Sequence, residues 1–572
     1  MVEPDDLVMI VVGGGAIALG TAQELCAMRG HRIVVLWRRD PDFTRAVEGI
    51  GAVHLAAPRP DSVEALDRAG VRHAVTILAL SPDDQLNLHA ALLARDANPR
   101  IRIVLRQFNR TLGHKIEQNL PNCSVLSLAR HSAATYAAAA VDPFSFRGLQ
   151  FPEPDGPLTG FATRTAASCG VGGETIAGAE RLLGVRILAV DGTTELSRDM
   201  ALAGGATLVV YGDLAGLQSS APRRAARRHP ALGGRLRALW HRGRGHPPRL
   251  NPILVRLAAA ALVVLVVGIG YFHAAFGGGW LDAVYFVVAT MTTTGYGDLT
   301  PDRSNPVDIV FAMLLMLAGT IITGLFIAFG ASLLTRVHWV SMQGLRPVHR
   351  HGHIVVCGAG SIGSEVIDLL LTLGKHLVVV EISPDPTIIE RAREQRFDLL
   401  TGDASRDATL DLCNLDAAHG LIALTNVDTL NLEIALGARA RNPTMPIVLR
   451  IAEASFAQSI ARHFEFETTY SAAALAAPAF VGLSRVPGSR GRVAFAGREF
   501  AVAEVAVAEG GPSAVRRDAI LLATSRQGGF AVAGDFTDLA PGDRALVIVP
   551  ATPFTEGQDT PATAAERFLL GG

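Results

Sequence analysis

Two long apolar stretches in the middle of the chain constrain the fold more than any other feature. Residues 253–276 are interrupted only by Arg256 and His273, and residues 309–335 contain no charged side chain. An apolar helix of about 20 residues crosses the roughly 30 Å hydrocarbon core of a membrane. The sequence therefore predicts two membrane-spanning helices. The mostly apolar run at 281–291 is too short to cross and is predicted to enter the membrane and return on the same side.

Arginines before the first apolar stretch and after the second indicate how the two helices are oriented in the membrane. The segment from 222 to 250 holds nine arginines and no acid, and Arg336, Arg346 and Arg350 follow the second stretch. Because basic residues stay on the cytoplasmic side, we expect a multi-pass protein of the plasma membrane, with lipid as a partner and both termini in the cytoplasm.

The charge balance argues against nucleic acid as a partner. The chain carries 52 basic and 53 acidic residues, so its net charge of -1 offers no general attraction to a polyanion. A nucleic-acid-binding arm at 222–250 is the alternative interpretation, but Trp240 is its only aromatic residue. We therefore expect no nucleic-acid partner.

The segment between the two stretches carries the most specific motif, Thr292-Thr293-Thr294-Gly295-Tyr296-Gly297-Asp298. Successive backbone carbonyls and a threonine hydroxyl can replace the hydration shell of a cation, and the two glycines permit the backbone angles that point carbonyls inward. The C-terminal end of the preceding helix adds partial negative charge. One such segment cannot encircle an ion, so the motif predicts a homotetramer.

Together with its flanks, this motif resembles the pore of two-helix potassium channels. The flanks that carry the resemblance are Trp280, Asp282-Ala283 and Tyr285-Phe286 before the motif and Thr300-Pro301 after it. The resemblance covers residues 252–336 and differs at Thr294, where valine is commoner. It implies a selectivity filter formed by Thr293, Thr294, Gly295, Tyr296, Gly297 and Asp298, with K+ at Thr293, Thr294, Gly295 and Tyr296.

The rest of the chain contains an internal duplication. The segment VMIVVGGGAIALG, from Val8, matches HIVVCGAGSIGSE, from His353, at an offset of 345 residues, and later matches ending at Arg106 and Arg450 have an offset of 344. Each copy alternates short apolar strands with helical stretches, the pattern of a parallel α/β sheet. The predicted fold is multi-domain, with an α-helical two-helix membrane pore flanked by two Rossmann-like α/β modules that pair with each other in the cytoplasm.

Both copies open with a glycine-rich turn between a strand and a helix, where backbone amides can hold a phosphate. In the second copy the turn has Gly358, Gly360 and Gly363, the acid Glu381 ends the next strand, and Asp403 follows the third strand. A glycine turn can also merely tighten a strand–helix corner.

The first copy departs from this pattern. Its turn has Gly13, Gly15 and Ala18, and the offset of 345 aligns Leu36 with Glu381 and Pro58 with Asp403. Arg38 and Arg39 stand nearby as candidate phosphate ligands.

The modules resemble the regulator-of-potassium-conductance (RCK, or KTN) domains of potassium channels and uptake systems. Besides the turn and the strand acid, the shared signal is Asp-x-x-Asn-Leu, at Asp84, Asn87 and Leu88 and again at Asp428, Asn431 and Leu432. We divide the chain into a first N-lobe (1–140), a C-lobe-like region (141–221), a basic linker (222–251), the pore domain (252–336), a linker (337–350), a second N-lobe (351–482), a second C-lobe-like region (483–551) and a tail (552–572).

This second resemblance implies ligand-controlled gating. NAD(H) or an adenine nucleotide is expected in the second module, at Gly358, Ala359, Gly360, Ser361, Ile362, Gly363, Glu381, Asp403, Ala404, Thr425 and Arg450. A weaker first site is expected at Gly13, Gly15, Ala18 and Arg38. Ca2+ is a further candidate ligand.

The favoured interpretation is a ligand-gated potassium channel. The alternative is a non-conducting, nucleotide-sensing subunit of a potassium uptake system, although such a subunit would not need its own filter. An NAD-dependent oxidoreductase would have a dinucleotide turn, but the sequence shows no catalytic constellation, so we expect no enzyme activity.

The glycines of the second predicted membrane helix, Gly319, Gly324 and Gly330, either bend this helix or allow close helix packing.

Overall fold

The computed structural model describes most of the chain in thirteen segments. They are residues 7–28, 31–151, 156–219, 252–277, 279–302, 304–342, 347–466, 468–486, 488–507, 519–526, 529–532, 536 and 539–550. The predicted basic linker at 222–251 with its nine arginines, Arg346, and the tail at 552–572 lie outside the described residues. The chain divides into two compact units, one made of residues 1–223 and 346–572 and the other of residues 224–345.

The first unit contains two six-stranded parallel sheets. The first sheet consists of β1 (Leu7–Val12), β2 (His31–Trp37), β3 (Val53–Ala56), β4 (Ala74–Ala79), β5 (Arg102–Arg106) and β6 (Cys123–Leu126). The second consists of β11 (Ile354–Cys357), β12 (Leu377–Glu381), β13 (Asp398–Thr401), β14 (Gly420–Ala423), β15 (Ile447–Ile451) and β16 (Thr469–Ser471). The strand orders, β3-β2-β1-β4-β5-β6 and β13-β12-β11-β14-β15-β16, are those of a Rossmann-like fold, as the sequence predicts for both copies.

Helices cover these sheets. Those of the first copy are α1 (Gly15–Ala27), α2 (Pro41–Gly49), α3 (Val63–Arg68), α4 (Asp84–Ala97), α5 (Arg110–Asn119) and α6 (Leu128–Val141). Because helices lie on both faces, the strands are continuous apolar runs, such as LVMIVV in β1, with only Leu7 exposed. Local signals set the helix starts: the Asp40 side chain accepts hydrogen bonds from the amides of Asp42 and Phe43, and Pro41 is the first residue of α2.

Each parallel sheet is followed by a smaller antiparallel sheet. The first is built from β7 (Ser145–Gln150), β8 (Leu158–Thr165), β9 (Val185–Val190) and β10 (Thr207–Asp213), with the helices α7 (Ile176–Leu183) and α8 (Leu214–Ser219). The second is built from β17 (Ser489–Phe495), β18 (Arg498–Ala506), β19 (Ile520–Arg526), β20 (Gly529–Val532) and β21 (Arg544–Pro550). Buried residues of the two sheets, including Phe161, Tyr211 and Phe500, form a single hydrophobic cluster. The two smaller lobes therefore pack against each other.

Three helices follow the first copy in sequence, and the helices of the second copy come after them. The second unit holds α9 (Pro252–Ala275), α10 (Trp280–Met291) and α11 (Pro306–Met342). The second copy holds α12 (Ser361–Thr372), α13 (Pro386–Glu394), α14 (Asp407–Leu412), α15 (Asp428–Arg441), α16 (Ala454–Phe464) and α17 (Ala472–Arg485).

The two Rossmann-like modules exchange helices. The helix α6 of the first module packs on α12 of the second, and α17 of the second packs on α1 of the first. Tyr136 on α6 is fully buried and donates its hydroxyl to the carbonyl of Tyr470, while Arg102 in β5 donates to the carbonyl of Leu483 near the end of α17. Residues of both modules form one hydrophobic core, so the predicted pairing of the modules is confirmed.

In the second unit, two helices are long and apolar enough to cross a membrane. Their most apolar windows are Ala258–Ala275 and Pro306–Leu325, each with a mean hydropathy of 2.1. The short helix α10 lies between them in sequence and packs through Phe286 and Val287 against Phe272 of α9. This is the two-helix architecture with a short middle helix that the sequence predicts.

One glycine of α11 allows this helix to pack closely against α10. A Cβ atom at Gly319 would lie 2.6 Å from the Cα of Met291, the last residue of α10. Gly319 therefore permits α11 to approach the end of the short helix closely. At Gly324 a Cβ atom would meet nothing within 4 Å in the single chain, and α11 is one continuous helix through Gly324 and Gly330.

Candidate functional site

The candidate filter segment leaves α10 at Met291 and takes up an unusual backbone conformation. Gly295 has a φ of 53° and Gly297 a φ of 78°, in the left-handed region that glycine tolerates. Thr293 also has a positive φ, 61°, which is uncommon for a β-branched residue. Such backbone strain persists where the surrounding structure enforces it and is concentrated at functional sites.

Hydrogen bonds anchor the start of this segment to the end of α10. The amides of Thr294 and Gly295 both donate to the carbonyl of Ala289, at 2.9 Å and 3.2 Å. The Thr292 hydroxyl donates to the Val288 carbonyl at 2.8 Å. The segment is therefore held at the C-terminal end of the helix, where the backbone carbonyls concentrate partial negative charge.

A tyrosine on α10 supports the far end of the segment. The Tyr285 hydroxyl donates to Asp298 Oδ2 at 2.9 Å, and the Tyr285 ring is nearly parallel to that of Tyr296, with a centroid distance of 6.4 Å. In the sequence, Tyr285 stands out only as one of the flanking residues that resemble a channel pore, and its bond to Asp298 could not be predicted. The two side chains meet, although they lie 13 residues apart in sequence, because the filter segment turns back at the end of α10 and runs beside this helix.

Residues 292–298 are exposed in the single chain, and 73% of the Tyr296 surface is accessible. A buried ion path cannot be formed by one exposed segment. The side of the segment that would face an ion must be covered by other chains if it acts as a filter.

The glycine turn of the second module connects β11 to α12. Gly358 has a φ of 97°, and its amide donates to the Val380 carbonyl at 2.9 Å. A Cβ atom at Gly363 would overlap the Gly358 carbonyl oxygen, so only glycine fits there. Ile362 and Gly363 are buried beneath the turn. The third glycine of the motif thus lets the helix approach the turn closely.

The N-terminus of α12 is suited to an anion. Gly360 is its N-cap residue, no side chain caps the helix, and the first turn carries no acid. Ser361 is exposed, and a Cβ atom at Gly360 would meet nothing within 4 Å. The first amides of the helix therefore need partners, and a phosphate can approach them.

Glu381 ends β12 beside this turn. Its Oε2 atom accepts a hydrogen bond from the Ala359 amide at 2.7 Å, and its Oε1 atom accepts one from the Ser383 amide at 3.2 Å. The carboxylate is thus held at the edge of the turn, where an acid can accept hydrogen bonds from ribose hydroxyls.

Asp403 lies after β13, at the same end of the sheet. Its Oδ1 atom accepts hydrogen bonds from the Ser405 hydroxyl at 2.8 Å and the Ser405 amide at 3.0 Å, and Arg406 lies 3.3 Å from Oδ2. Hydrogen bonding by Ser405, with help from Arg406, lowers the pKa of Asp403. Ala404 is buried beside it. The side chain is therefore an anion whose present partners all belong to its own loop.

Thr425 and Arg450 contribute to the internal scaffold of the site. The buried Asn431 side chain accepts from the Thr425 amide at 2.9 Å and donates to the carbonyls of Thr425 and Arg450. The Arg450 guanidinium donates to the Leu424 carbonyl. In the first module Asn87 makes the same bonds to Ser81 and the Arg106 carbonyl. The repeated Asn of the Asp-x-x-Asn-Leu motif therefore ties two neighbouring strand ends together.

The first module has a different glycine turn. Ala18 occupies the position of Gly363, and its Cβ atom would overlap the Gly13 carbonyl if the turn had the second module's shape. Instead Gly15 has a φ of 79°, whereas the corresponding Gly360 has a φ of -63°. The turns of the two modules therefore differ in backbone conformation.

The alignment of Leu36 with Glu381 is wrong. The amides of Gly13 and Gly358 donate to the carbonyls of Leu36 and Val380, so Leu36 corresponds to Val380 and Trp37 to Glu381. The physical reason is one additional residue between the turn and the second strand of the first copy, which a constant offset does not include. Pro58 remains aligned with Asp403, because Ala57 and Gly402 donate to the carbonyls of Trp37 and Glu381.

Trp37 fills the space that the acid occupies in the other module. A Cβ atom at Gly14 would overlap the indole Nε1 of Trp37, so the ring lies directly against the glycine turn. The Arg38 guanidinium lies 5.8 Å from the centroid of the Trp37 ring. The residues predicted for a first nucleotide site, Gly13, Gly15, Ala18 and Arg38, are therefore near one another, but an indole covers the turn they form.

Metal ligation by acidic, histidine or cysteine side chains has no visible basis in the part of the chain that the structure describes. Within it, no group of three or more such side chains is placed to hold a metal ion. The candidate ligand Ca2+ therefore has no cluster assigned to it there.

Family models match the three predicted parts of the chain. The model of the TrkA-N domain matches residues 9–120 and again residues 354–468, and that of an ion channel domain matches residues 259–336. The matches coincide with the two parallel sheets and with the helical unit.

Two relatives of the chain are named as potassium channels. The chain is 28% identical over 215 residues to "Probable potassium channel protein 2" of Methanocaldococcus jannaschii, covering 35% of this chain and 57% of the relative. It is 24% identical over 177 residues to "Voltage-gated potassium channel Kch" of Escherichia coli, covering 30% of this chain and 42% of the relative. The chain thus spans about half the length of these two relatives.

A solved structure shares the overall fold. The structure described as "GsuK Channel" matches with a TM-score of 0.50 and 14% identity, and the match covers 99% of this chain and 80% of that one. The chain therefore carries two TrkA-N domains, one before and one after an ion channel domain, and is homologous to potassium channel proteins.

Proposed function

We propose that this chain is one subunit of a homotetrameric potassium channel in the plasma membrane. The observation that carries the proposal is the segment from Thr293 to Asp298, with positive φ at both glycines, held by a short helix between two apolar helices of spanning length. Carbonyls of Thr293, Thr294, Gly295 and Tyr296 would coordinate K+ in place of water. A non-conducting regulatory subunit would have no use for this segment.

Four chains are proposed because the segment is exposed in one chain. Symmetric assembly around the ion path would bury residues 292–298 against three copies and surround each ion with four sets of carbonyls. Asp298 and Tyr285 would lie behind the filter and hold its outer end.

We further propose that NAD(H) or an adenine nucleotide binds the second module and controls the pore. Phosphate would approach the amides at Gly360 and Ser361, and Glu381 would hold the ribose. Asp403 and Ala404 would border the adenosine, and Thr425 and Arg450 would position the facing loop. Because α12 packs on α6 of the first module, a ligand at the start of α12 can affect both modules. It shifts the gate only by its differential affinity for the open and closed states.

Replacing Glu381 with alanine is expected to weaken nucleotide binding about 10- to 150-fold, because a hydrogen bond to a charged group contributes about 1.5–3 kcal/mol. Titration calorimetry with NAD+, NADH, ATP and ADP measures this on the full chain, since the two modules share one core. The dose response of channel activity should shift by a comparable factor.

The matched control is Glu394→Ala, which removes the same charge from an exposed position at the end of α13. It should bind nucleotide like the parent. If Glu381→Ala also binds and gates like the parent, the nucleotide site has to be withdrawn, while the pore assignment would stand.

The proposed topology places residues 1–250 and 337–572 in the cytoplasm and the loop near Asp302 outside. Protease added to right-side-out membrane vesicles should therefore leave both modules intact, and permeabilised vesicles should lose them. Fragments cut within either module in sealed vesicles would contradict the two-helix topology.

A further inference from the structure

A buried histidine on α6 lies where the two modules and the two smaller lobes meet. His131 is 8% exposed, and Arg147 on β7 of the first smaller lobe, which is 7% exposed, lies against it. Arg147 donates a hydrogen bond to the carbonyl of Leu475 on α17 of the second module at 3.1 Å. A Cβ atom at Gly491, on β17 of the second smaller lobe, would lie 3.2 Å from the Arg147 guanidinium. These four residues form the lobe junction.

The contact between the two side chains fixes the protonation of the histidine. Arg147 Nη2 lies 2.9 Å from His131 Nε2. Burial lowers the pKa of Arg147 to about 10, so its guanidinium is still a cation at neutral pH. Because a guanidinium has only donors, Nε2 must accept the hydrogen bond. The imidazole is therefore neutral and carries its proton on Nδ1.

Positive charge dominates the surroundings of the lobe junction. In the part of the chain that the structure describes, Arg147 contacts the His131 ring and one backbone carbonyl, and neither carries a negative charge. Arg490 is a second cation close enough to affect His131. Its acid partner Glu504, at 2.6 Å, also pairs with Arg544. A proton on His131 would therefore bring two cations into contact and remove an acceptor from Arg147.

The closed junction disfavours the protonated form of the histidine. Burial lowers the pKa of His131 well below its usual value, and the charges of Arg147 and Arg490 lower it further. A hydrogen bond with the backbone of Leu475 acts in the opposite direction. The other charged side chains on the described elements that pack against α6 are not among the groups that shift it: Arg164 on β8, Glu365 and Asp368 on α12, Arg450 on β15 and Arg485 on α17.

We propose that the lobe junction is a proton-sensitive contact, closed while His131 is neutral and opened when this side chain takes up a proton. Its link to the pore rests on the proposed function, because α6 also packs on α12, whose first turn is the proposed phosphate site. Acidification of the cytoplasm loosens the packing through which bound nucleotide affects both modules. The proton is thus a second signal to the same gate.

The closed junction should be most stable above about pH 6.5, the usual pKa of a histidine exposed to water. Above this pH the imidazole is neutral in both forms, so the closed form keeps its full stability. Below it, only the opened form takes up a proton readily. The ratio of opened to closed junction therefore rises about ten-fold for each further pH unit, and about ten-fold in all between pH 7.5 and pH 5.5.

Hydrogen exchange of the full-length chain at about pH 7.5 and about pH 5.5 tests the junction without requiring conduction. Protection factors compare each amide with an unstructured amide at the same pH, so the chemical effect of pH cancels. They should fall about ten-fold in α6 and in the first half of α17. They should be unchanged in α15, which packs on β14 and β15.

His131→Gln separates this titration from packing, because the glutamine carbonyl can accept the hydrogen bond from Arg147 but takes up no proton. Its protection factors in α6 should be the same at both pH values. The matched control is His463→Gln, at an exposed position on α16, which should behave like the parent. The proposal is overturned if protection of α6 in the parent does not fall at the lower pH, or if His131→Gln shows the same fall.

Flux from liposomes tests the link to the gate. The nucleotide concentration for half-maximal flux should shift between the two pH values in the parent and in His463→Gln, but not in His131→Gln. A dose response of the parent that is the same at both pH values would overturn this link. Absence of flux under every condition would instead contradict the proposed channel function, and the exchange experiment would still decide whether the junction is proton-sensitive.

Discussion

Replacing Gly295 with alanine is expected to abolish potassium flux while the chain still folds and assembles. Gly295 has a φ of 53°, and a side chain in this region costs about 1–2 kcal/mol. The backbone can relieve this cost by rotating the peptide, which turns a carbonyl away from the ion path. An ion that loses one ring of four carbonyls would have no replacement for its hydration shell. Flux from liposomes and the mass of the assembly measure the two parts of the prediction.

Gly277→Ala is a suitable control for strain alone. Gly277 follows α9, has a φ of 72°, and offers open space for a Cβ atom in the single chain, as Gly295 does. Both substitutions place a side chain at a positive φ and so cost a similar amount of conformational free energy, but only Gly295 belongs to the proposed filter. Gly277→Ala should conduct. Unchanged potassium flux in Gly295→Ala would refute the filter assignment.

The second large effect is expected for Gly363→Ala, which should reduce nucleotide binding by about 100-fold or more. The added Cβ atom would overlap the Gly358 carbonyl oxygen, so the turn or the start of α12 must move. Overpacking of this kind costs about 1–3 kcal/mol. Displacement of the amides also removes charge-assisted hydrogen bonds to phosphate, each contributing about 1.5–3 kcal/mol. Calorimetry on the full chain measures the loss.

The reciprocal change in the first module is the control. Ala18→Gly removes a Cβ atom at the corresponding position, but Trp37 still covers the turn. It should therefore create no dinucleotide site. Nucleotide affinity that is unaltered by Gly363→Ala would show that the turn does not hold the phosphate.

Large-scale features of the fold could be predicted because they depend on composition and period. Two apolar stretches of spanning length identify α9 and α11, and a shorter run identifies α10. Repetition of the strand–turn–helix pattern predicts two parallel sheets, because apolar runs alternate with helical segments in both copies. These signals are local in sequence, so they can be recognised before the structure is known.

The differences between the two modules could not be predicted in the same way. A single extra residue before β2 moves Trp37 into the position of Glu381, and an alignment at constant offset places Leu36 there instead. Whether an indole then points into the cleft depends on the turn beside it. The role of Asn431 is also long-range, since it joins the loop after β14 to the carbonyl of Arg450.

The pairs of helices that pack together between the two modules could not be predicted from the sequence. The sequence predicts that the modules pair, but not that α6 packs on α12 or that α17 packs on α1. The helices α6 and α17 are both rich in alanine and largely buried. From the sequence alone, each could equally cover the sheet of its own module. Specific contacts such as the Tyr136 hydroxyl with the Tyr470 carbonyl fix the exchange, and these join residues that lie far apart in sequence.

The most direct test of the proposed function is the reversal potential of purified full-length protein in a planar bilayer, with K+ on one side and Na+ on the other. We expect currents that depend on added nucleotide and that reverse far toward the K+ equilibrium potential, because only a dehydrated K+ matches the proposed carbonyl sites. Reversal near zero voltage, or the absence of any current with every candidate nucleotide, would contradict the assignment of this chain as a potassium channel.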